Sequence, residues 1–362
     1  MPQIMTVLGP IAPQDLGFTS MHEHILYDGS VFRRRFGAYL TDDIAIKPDD
    51  PVRLDNVGRL KHGFIMCWDA IMNDDVDLLA AELADFKASG GSAMVDMSTP
   101  GLRINPELTR QVSEKSGVHI VITTGLYSRD SWPERFLAMS IEDMRQYMLD
   151  EIANGLEGTG IRPGHLKVAI EEDFCEPEVN ALRAAARVAV ETGFSLTVHQ
   201  GMLLGKDAGG RIADILEKEG MDLGRVVIAH NDGKFVESSL KTVILDQDSW
   251  RLNLDTSREL LRRGLNLSLD CFGHYWDVEP LGINKCADWQ RLAGLVALLK
   301  EGFAPQLVLG MDTFVKILLR RYGGEGYCRL TEYVVPWLKE VGISEEDIRM
   351  ITVDNPARIL AY

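Results

Sequence analysis

Two histidines near the start of the chain have the spacing of a metal-binding pair. His22 and His24 flank Glu23 in Phe18–Ile25, a segment whose residue types predict a β-strand. Alternate residues of a strand point to the same face, so both imidazoles can converge while Glu23 points away. Two converging imidazoles suit zinc or a similar borderline cation. A pair of hydrogen-bonded loop histidines is the alternative.

Three more polar residues directly follow short apolar runs of β-type residues. They are His199, His230 and Asp312. The two histidines end successive predicted strands, so they would stand side by side on one rim of a sheet. Asp312 is either a metal-bound carboxylate that accepts a proton from metal-bound water or the cap of a following helix. Each residue taken alone is more often an ordinary core, loop or capping residue than a metal ligand.

Lys167 lies inside an apolar predicted strand, His165–Ile170. A buried ammonium is costly and tends to lose its proton, and two nearby dications would repel it. Reaction of the neutral amine with carbon dioxide gives a carbamate, an anionic group with two oxygens on a long stem that can bridge two metal ions. The alternative is an ordinary lysine whose amine reaches solvent.

Strands and helices that would position these residues alternate along the chain. The predicted strands are Phe18–Ile25, Ser92–Met97, His119–Tyr127, His165–Ile170, Ser195–His199, Arg225–His230, Leu265–Cys271 and Leu307–Asp312. The predicted helices are Asp74–Ser89, Ile141–Leu156, Glu178–Thr192, Gly210–Lys218, Ser257–Arg263, Asp288–Lys300, Leu330–Val341 and one capped by Ser344. Eight strand–helix units follow one another without a flexible linker. This pattern favours a single α/β domain spanning residues 1–362, a (β/α)8 TIM barrel, and disfavours an open doubly wound sheet. Active sites of such barrels lie at the C-terminal ends of the strands, where the polar residues fall.

Three segments fall outside this repeat or connect its parts. Residues 1–16 are predicted to form a small strand-and-turn cover, and residues 28–72 a long insertion after the first strand with a functional or oligomeric role. Within the insertion, Arg33, Arg34 and Arg35 are interpreted as a solvated face rather than an anion site. The glycine-rich loop Arg320–Tyr327 is either a mobile lid over a polar substrate or a solvated turn.

Composition limits the partners and the compartment. The formal charge of −16 argues against a nucleic-acid or anionic-membrane partner, because phosphate binding needs a basic surface. Five scattered cysteines without a CxxC motif argue against a disulfide framework. The N-terminus lacks the pattern of a signal peptide, and the chain lacks a run of about 18 apolar residues. These features predict a cytoplasmic, reducing location, whereas the acidic balance says little about small-molecule substrates.

Nearly the whole chain resembles the phosphotriesterase-like family of the amidohydrolase superfamily. The likeness is carried by Gly17–His24, Thr124–Tyr127, Gly160–Ala169, Ala184–Arg187, Thr192–Gly193, Val198–His199, Arg225–His230, Gly310–Asp312 and Asp354–Arg358. The separation of 32 residues between Lys167 and His199 is also the family's.

This resemblance implies a binuclear metal centre and a homodimer. The implied ligands are His22, His24 and Asp312 for a more buried ion, and His199 and His230 for a more exposed one. N6-carboxylated Lys167 and a hydroxide would bridge the two divalent ions, expected to be zinc, with manganese, cobalt or iron as alternatives. Some relatives have a glutamate in place of the carbamate. Glu171 and Glu172 lie nearby, but Lys167 matches the lysine pattern better.

The resemblance also implies a hydrolase in which the bridging hydroxide attacks an ester bond. Asp312 would take the proton, and Tyr127, which stands where lactonases have a tyrosine, would donate a hydrogen bond to the substrate or merely line the pocket. Gly233 and Cys271 occupy the places of a proton relay in organophosphate-hydrolysing relatives, and His274 either substitutes for it or is a loop histidine. A lactone or other carboxylic ester is therefore the expected substrate, with phosphotriester hydrolysis as a side activity. Hydrolysis of a small acylated amide, and a catalytically weak ligand-binding role, are the alternatives.

Overall fold

Eight parallel strands form the centre of the computed structural model, which describes residues 1–37, 46–171, 173–274 and 282–362, without the side chain of Phe64. The strands are β1 (Thr19–Glu23), β2 (Ala93–Asp96), β3 (His119–Leu126), β4 (His165–Ile170), β5 (Leu196–Gln200), β6 (Val226–Ile228), β7 (Asn266–Leu269) and β8 (Leu307–Leu309). They pair in chain order, each with the next, in parallel register. Each predicted strand is present, and most are shorter than predicted by one to three residues at an end.

The strands are apolar on both faces because helices cover the outside of the sheet and the opposite strands fill the inside. One layer of the interior is a fully buried cluster of alternate strand residues. It includes Met21, Val95, Val121, Val227 and Val308. The residues between them face outward and pack against the surrounding helices. The packed interior makes the barrel a rigid support for the side chains at its rim.

The sheet closes where β1 meets β8. The main-chain N–H groups of Met311 and Asp312 both donate to the carbonyl of His22, at 3.3 and 2.9 Å. These bonds lie just beyond the end of β8, so the seam is formed at the C-terminal rim. The prediction of a (β/α)8 barrel is confirmed.

Helices connect the strands on the outside of the barrel. The longer ones are Val76–Ala88, Pro106–Ser116, Ile141–Asn154, Glu176–Thr192, Ala208–Lys218, Asp255–Arg262 and Asp288–Lys300. Shorter helices are Ser30–Phe36, Val57–Leu60, Glu134–Leu137, Leu240–Leu245, Val335–Glu340, Glu345–Arg349 and Asn355–Leu360. The predicted helix Leu330–Val341 contains a π-helical first turn over Leu330–Val334. The helix Pro106–Ser116 was not predicted.

The two segments outside the repeat lie at opposite ends of the barrel. Strands Ile4–Thr6 and Gly9–Ile11 form an antiparallel hairpin, and Val7 N–H donates to the carbonyl of Ile120 near the start of β3, so the hairpin covers the N-terminal end. The predicted insertion 28–72 lies at the C-terminal end, apart from residues 38–45, which fall outside the described part. Among the described residues, no helix is both long enough and apolar enough to cross a bilayer.

Candidate metal centre

The structure brings the six predicted ligands together at the C-terminal rim. Five strands supply them: β1, β4, β5, β6 and β8. His22 and Lys167 are almost fully buried, whereas the side chains of His199, His230 and Asp312 are 12 to 14% exposed. The exposures do not separate the two expected ligand groups, because Asp312, expected in the deeper group, is as exposed as His230.

The deeper group joins β1, β4 and β8. Asp312 Oδ1 lies 3.6 Å from His22 Nε2 and 3.3 Å from His24 Nε2. Lys167 Nζ lies 3.4 Å from His22 Nε2. The two imidazole nitrogens and the carboxylate oxygen lie within 4.8 Å of one another, the spacing of atoms that share one ion.

In the shallower group two imidazole nitrogens face each other, His199 Nδ1 and His230 Nε2, 2.8 Å apart. The other nitrogen of each ring is held by a carboxylate. His230 Nδ1 lies 2.8 Å from Asp270 Oδ1, and His199 Nε2 lies 2.5 Å from Glu171 Oε2. Because ionised carboxylates only accept hydrogen bonds, the outer nitrogens carry the protons.

The positions of the ring protons decide whether these residues can bind a metal ion. With both outer nitrogens donating, His199 and His230 present lone pairs to each other, and a cation between them satisfies both. His22 is oriented in the same way, because its Nδ1 lies 2.7 Å from Asp270 Oδ2 and its Nε2 faces Asp312. Carboxylates behind metal-bound histidines commonly fix the tautomer in this manner. The donor set therefore fits metal binding.

Asp270, at the end of β7, is a residue that the sequence analysis missed. Its side chain is fully buried, and it accepts from His22 Nδ1, His230 Nδ1 and the main-chain N–H of His230. Burial alone would raise its pKa, but the adjacent His230 and His22 hold the pKa well below its usual range. One carboxylate thus orients a histidine in each group. The available signal was an acidic residue at the end of a predicted strand, the same signal that identified Asp312.

Lys167 points into the barrel mouth and not to solvent, with 1% of the residue exposed. Burial lowers the pKa of its amine from 10.5 to about 8, which increases the share of the neutral form that carbamate formation needs. Gly125 on β3 lies close to the main chain of Lys167, where a side chain would not fit. A side-chain carbon there would lie 1.9 Å from the carbonyl oxygen of Lys167, and the backbone φ is +128°.

Glu23 points away from the two histidines, as predicted, and has a structural task of its own. Its carboxylate accepts hydrogen bonds from the main-chain N–H groups of Met311 and Thr313, each at 3.0 Å, and so holds the turn around Asp312.

Asp312 and His230 both have left-handed backbone conformations, with φ of +49° and +56°. Non-glycine residues rarely adopt this conformation, and it concentrates at functional sites.

Tyr127 lines the cavity above the shallower group, with its Oη 3.4 Å from His199 Nε2. Burial raises the pKa of its phenol well above 10, so the hydroxyl keeps its proton.

Cys271 Sγ lies 3.6 Å from His230 Nδ1, and burial raises the pKa of the Cys271 thiol well above 9. Gly233 also lines the cavity. His274 Nε2 lies 3.0 Å from the main-chain oxygen of Asp312, so it supports the Asp312 turn through the backbone.

The cavity at the barrel mouth has an apolar wall and a polar wall. The apolar wall is formed by Tyr27, Phe32, Phe36, Ile65, Leu102 and Phe314. Phe32, Phe36 and Ile65 belong to the insertion, which therefore covers the active end of the barrel. The polar wall comes from the end of β5 and from the loops after β6 and β7, and it includes Gln200, Lys234, Ser238, Asn284 and Lys285.

The interpretation of the arginine run as a solvated face was wrong for two of its three residues. Arg33 Nη1 donates to the carbonyls of Ile65 and Met66 inside the insertion. Arg35 Nη1 lies 3.2 Å from Glu171 Oε1, and its side chain is only 17% exposed. Arg34 alone is exposed. The charge pattern could not show this, because the partners lie on other segments of the chain.

Several other candidates lie away from the described cavity wall. Arg320 forms ion pairs with Glu332 and Asp85 on the outside of the barrel, and Glu82 accepts the main-chain N–H groups of Arg320 and Arg321. These bonds fix the start of the predicted lid loop. Glu172 falls outside the described residues.

Comparison with known proteins shows the family to which the chain belongs. The sequence pattern of the Phosphotriesterase family matches residues 2–360. An N-acetyltaurine hydrolase of Tetraodon nigroviridis is 28% identical, covering 99% of this chain and 98% of that protein. The crystal structure of a resiniferatoxin-binding protein from Rhodobacter sphaeroides is 30% identical, with a TM-score of 0.85, covering 99% of this chain and 94% of that one. A variant of the organophosphorus hydrolase of Deinococcus radiodurans is 25% identical, with a TM-score of 0.74, covering 99% and 97%. The chain belongs to the phosphotriesterase family and is a hydrolase.

Proposed function

We propose that this hydrolase acts through two divalent cations at the barrel mouth and cleaves a carboxylic ester, with a lactone as the leading substrate. The observation that carries the proposal is the orientation of three histidines by carboxylates. Asp270 and Glu171 hold the outer nitrogens of His22, His230 and His199. The remaining nitrogens are thereby left as lone-pair donors directed at the same small volume.

In the proposed centre, His22, His24 and Asp312 hold one ion, and His199 and His230 hold the other. The neutral Lys167 amine would add carbon dioxide and release a proton, and the resulting carbamate would supply an anionic ligand to the centre. Zinc is the proposed metal, since imidazole and carboxylate donors suit it. When bound, the two ions supply activation of water and polarisation of the scissile carbonyl.

Two side chains of the protein would act on the substrate. The Asp312 carboxylate accepts the proton of the attacking water and returns it to the leaving oxygen, since it is an ionised carboxylate at the cavity floor. Tyr127 donates a hydrogen bond to the substrate oxygen. Its phenol suits this role because its proton is retained and its oxygen borders the cavity. The aromatic wall from the insertion would bind the apolar part of the substrate.

Hydrolysis of a small acylated amide is the second candidate. It is favoured by the N-acetyltaurine hydrolases, which align with 24 to 28% identity over 99% of this chain. The same residues would serve both reactions, because both require attack on a polarised carbonyl carbon. The reactions differ in the leaving group, which is an oxygen in a lactone and a nitrogen in an amide. Phosphotriester hydrolysis is proposed only as a side activity.

Three measurements test the proposal. Elemental analysis of the purified protein should give close to two metal ions per chain, and a pure ligand-binding relative need hold none. Incubation with ¹³C-bicarbonate and metal should give a carbamate NMR signal that Lys167→Ala lacks, while Lys234→Ala retains it. A lactone panel followed with a pH indicator, beside N-acetylated amines followed by amine release, then ranks the two substrate classes. A chain without metal and without the carbamate signal would refute the proposal.

A further inference from the structure

A chain of charged groups connects the insertion to the shallower ligand group. Arg35, on helix Ser30–Phe36, lies 3.2 Å from Glu171 Oε1 through its Nη1. The other oxygen of the same carboxylate, Oε2, lies 2.5 Å from His199 Nε2. Each carboxylate oxygen thus serves one partner. The arrangement spans three segments that are distant in the sequence: the insertion, the end of β4 and β5.

The backbone holds Glu171 firmly in this position. Its main-chain N–H donates to Glu178 Oε2 at 2.8 Å, and Glu178 is fully buried in the first turn of helix Glu176–Thr192. The N–H of Gly201 donates to the carbonyl of Ile170 at 2.7 Å, which brings the end of β5 against Glu171. A side-chain carbon at Gly201 would lie 2.6 Å from the Glu171 carbonyl oxygen. The carboxylate is therefore a fixed acceptor.

Arg35 forms an ion pair with this carboxylate from the opposite side. Its guanidinium is largely withdrawn from solvent, at 17% exposure, and its second acidic neighbour, Asp130, is farther away at 3.9 Å. An ion pair that is largely withdrawn from solvent is screened less than one between exposed side chains. Glu171 holds the imidazole of His199 through Oε2, and a residue of the insertion holds the same carboxylate through Oε1.

We propose that Glu171 and Arg35 are positioning residues that hold His199 ready for the shallower metal ion, so that docking of the insertion and occupancy of that ion favour each other. The proposal rests on the binuclear centre of the proposed function. Glu171 holds the proton of His199 on Nε2 and leaves Nδ1 as the ligand atom facing His230. By reciprocity, an ion that binds better to the oriented ring also stabilises the contact that orients it.

The first experiment measures metal affinity. Glu171→Met removes the acceptor at similar volume, Glu171→Gln keeps an acceptor oxygen but loses the charge, and Arg35→Met removes the guanidinium. Chelator competition should show the weaker-bound ion losing affinity by about 10- to 100-fold in Glu171→Met, with smaller losses in the other two. The tighter ion should be retained. Arg34→Met, on the same helix but exposed, and Asp173→Asn, 90% exposed, are the matched controls.

The second experiment uses metal-free protein, so its result does not depend on the proposed function. Long-range ¹⁵N NMR of the histidine rings should show His199 protonated at Nε2 in the unaltered chain and in Arg34→Met. In Glu171→Met the signal should shift towards a mixture of tautomers. If the unaltered chain binds no metal, the proposed function fails while this readout still tests the positioning role.

A third measurement tests the coupling to the insertion. Hydrogen exchange of helix Ser30–Phe36 should slow when the second ion is added to the unaltered chain, and this slowing should disappear in Arg35→Met. An unchanged tautomer and unchanged second-ion affinity in Glu171→Met would overturn the proposal. Equal loss of both ions would also overturn it, since Glu171 would then support the whole rim rather than His199. If Glu171→Met does not fold, Arg35→Met and Glu171→Gln decide between these outcomes.

Discussion

The main-chain N–H of Asp312 donates to the carbonyl of His22 at 2.9 Å, and this bond lies at the seam between the first and last strands of the barrel. The side chains of the same two residues face each other across the deeper ligand group, 3.6 Å apart. Barrel closure and the proposed metal site therefore depend on the same short stretch of structure. An ion held there would bind the folded protein and not the unfolded chain.

Metal removal should consequently lower the stability of the fold. An ion present at 100 times its dissociation constant adds about 2.7 kcal/mol to the free energy of unfolding. Urea unfolding of loaded and chelator-treated protein should show this difference. His22→Gln should greatly reduce the difference in the free energy of unfolding. His119→Gln, at the start of β3 and therefore at the other end of the barrel, should retain the difference. Coincident unfolding curves with and without metal would contradict the prediction.

Gly125→Ala should destabilise the barrel beside Lys167. The positive φ costs a non-glycine residue about 1–3 kcal/mol, and the added methyl group also meets the Lys167 carbonyl. The free energy of unfolding from urea titration checks this. The matched control is Gly58→Ala, because Gly58 lies in helix Val57–Leu60 with nothing within 4 Å of the added carbon. That change should be neutral or stabilising by up to about 1 kcal/mol. Equal effects of the two substitutions would argue against the close approach.

The strands and the ligands on them could be predicted because both signals are local. Apolar β-rich runs mark the strands, and a polar residue at the end of such a run marks the rim. The helix Pro106–Ser116 was missed because it has few apolar residues, although Asn105 caps it, Pro106 begins it and Gly117 ends it with φ of +68°. Its start and stop signals were present, and only its periodicity was weak.

Contacts between distant segments could not be predicted. Glu171 was considered only as a substitute for the carbamate, and nothing in the sequence connects it with Arg35, 136 residues earlier. Asp270 carries the same strand-end signal as Asp312, but one sequence does not show that two histidines share it. Such partners depend on the closed barrel, which brings six strand ends to one rim.

Arg291→Met should be strongly destabilising. Arg291 is 1% exposed, and its Nε and Nη1 each lie 2.7 Å from a buried carboxylate, Asp232 and Asp288. Removing one partner of a buried ion pair leaves uncompensated charge and typically costs about 3–5 kcal/mol. Arg251→Met, at an 84% exposed side chain, should change the free energy of unfolding by less than about 0.5 kcal/mol. A similarly small effect at Arg291 would mean that its carboxylates are solvated in solution.

Asp270→Asn should weaken both proposed metal ions at once. The amide lacks the negative charge to which both rings donate, and its N–H group faces one of them, so the hold on His22 and on His230 weakens together. Loss of an outer carboxylate typically lowers metal affinity about 10- to 100-fold. Metal content after dialysis against chelator should therefore fall at both sites, unlike the selective loss expected for Glu171→Met. Retention of two ions per chain would show that Asp270 does not orient the ligands.

Tyr127→Phe should lower turnover without lowering metal content. Its hydroxyl borders the cavity and lies near His199 Nε2, which is directed at Glu171. The proposed ligand atom of His199 is the other ring nitrogen, Nδ1, so loss of the hydroxyl should leave metal binding intact. If the phenol donates to a substrate oxygen on which charge develops, its loss should cost about 10- to 100-fold in kcat/KM on the preferred ester or amide. The effect should fall mainly on kcat, since the bond strengthens as charge develops. Tyr322→Phe, outside the described cavity wall, is the control. Unchanged kinetics in Tyr127→Phe would leave the phenol as part of the pocket wall alone, and a loss of metal would mean that it supports His199.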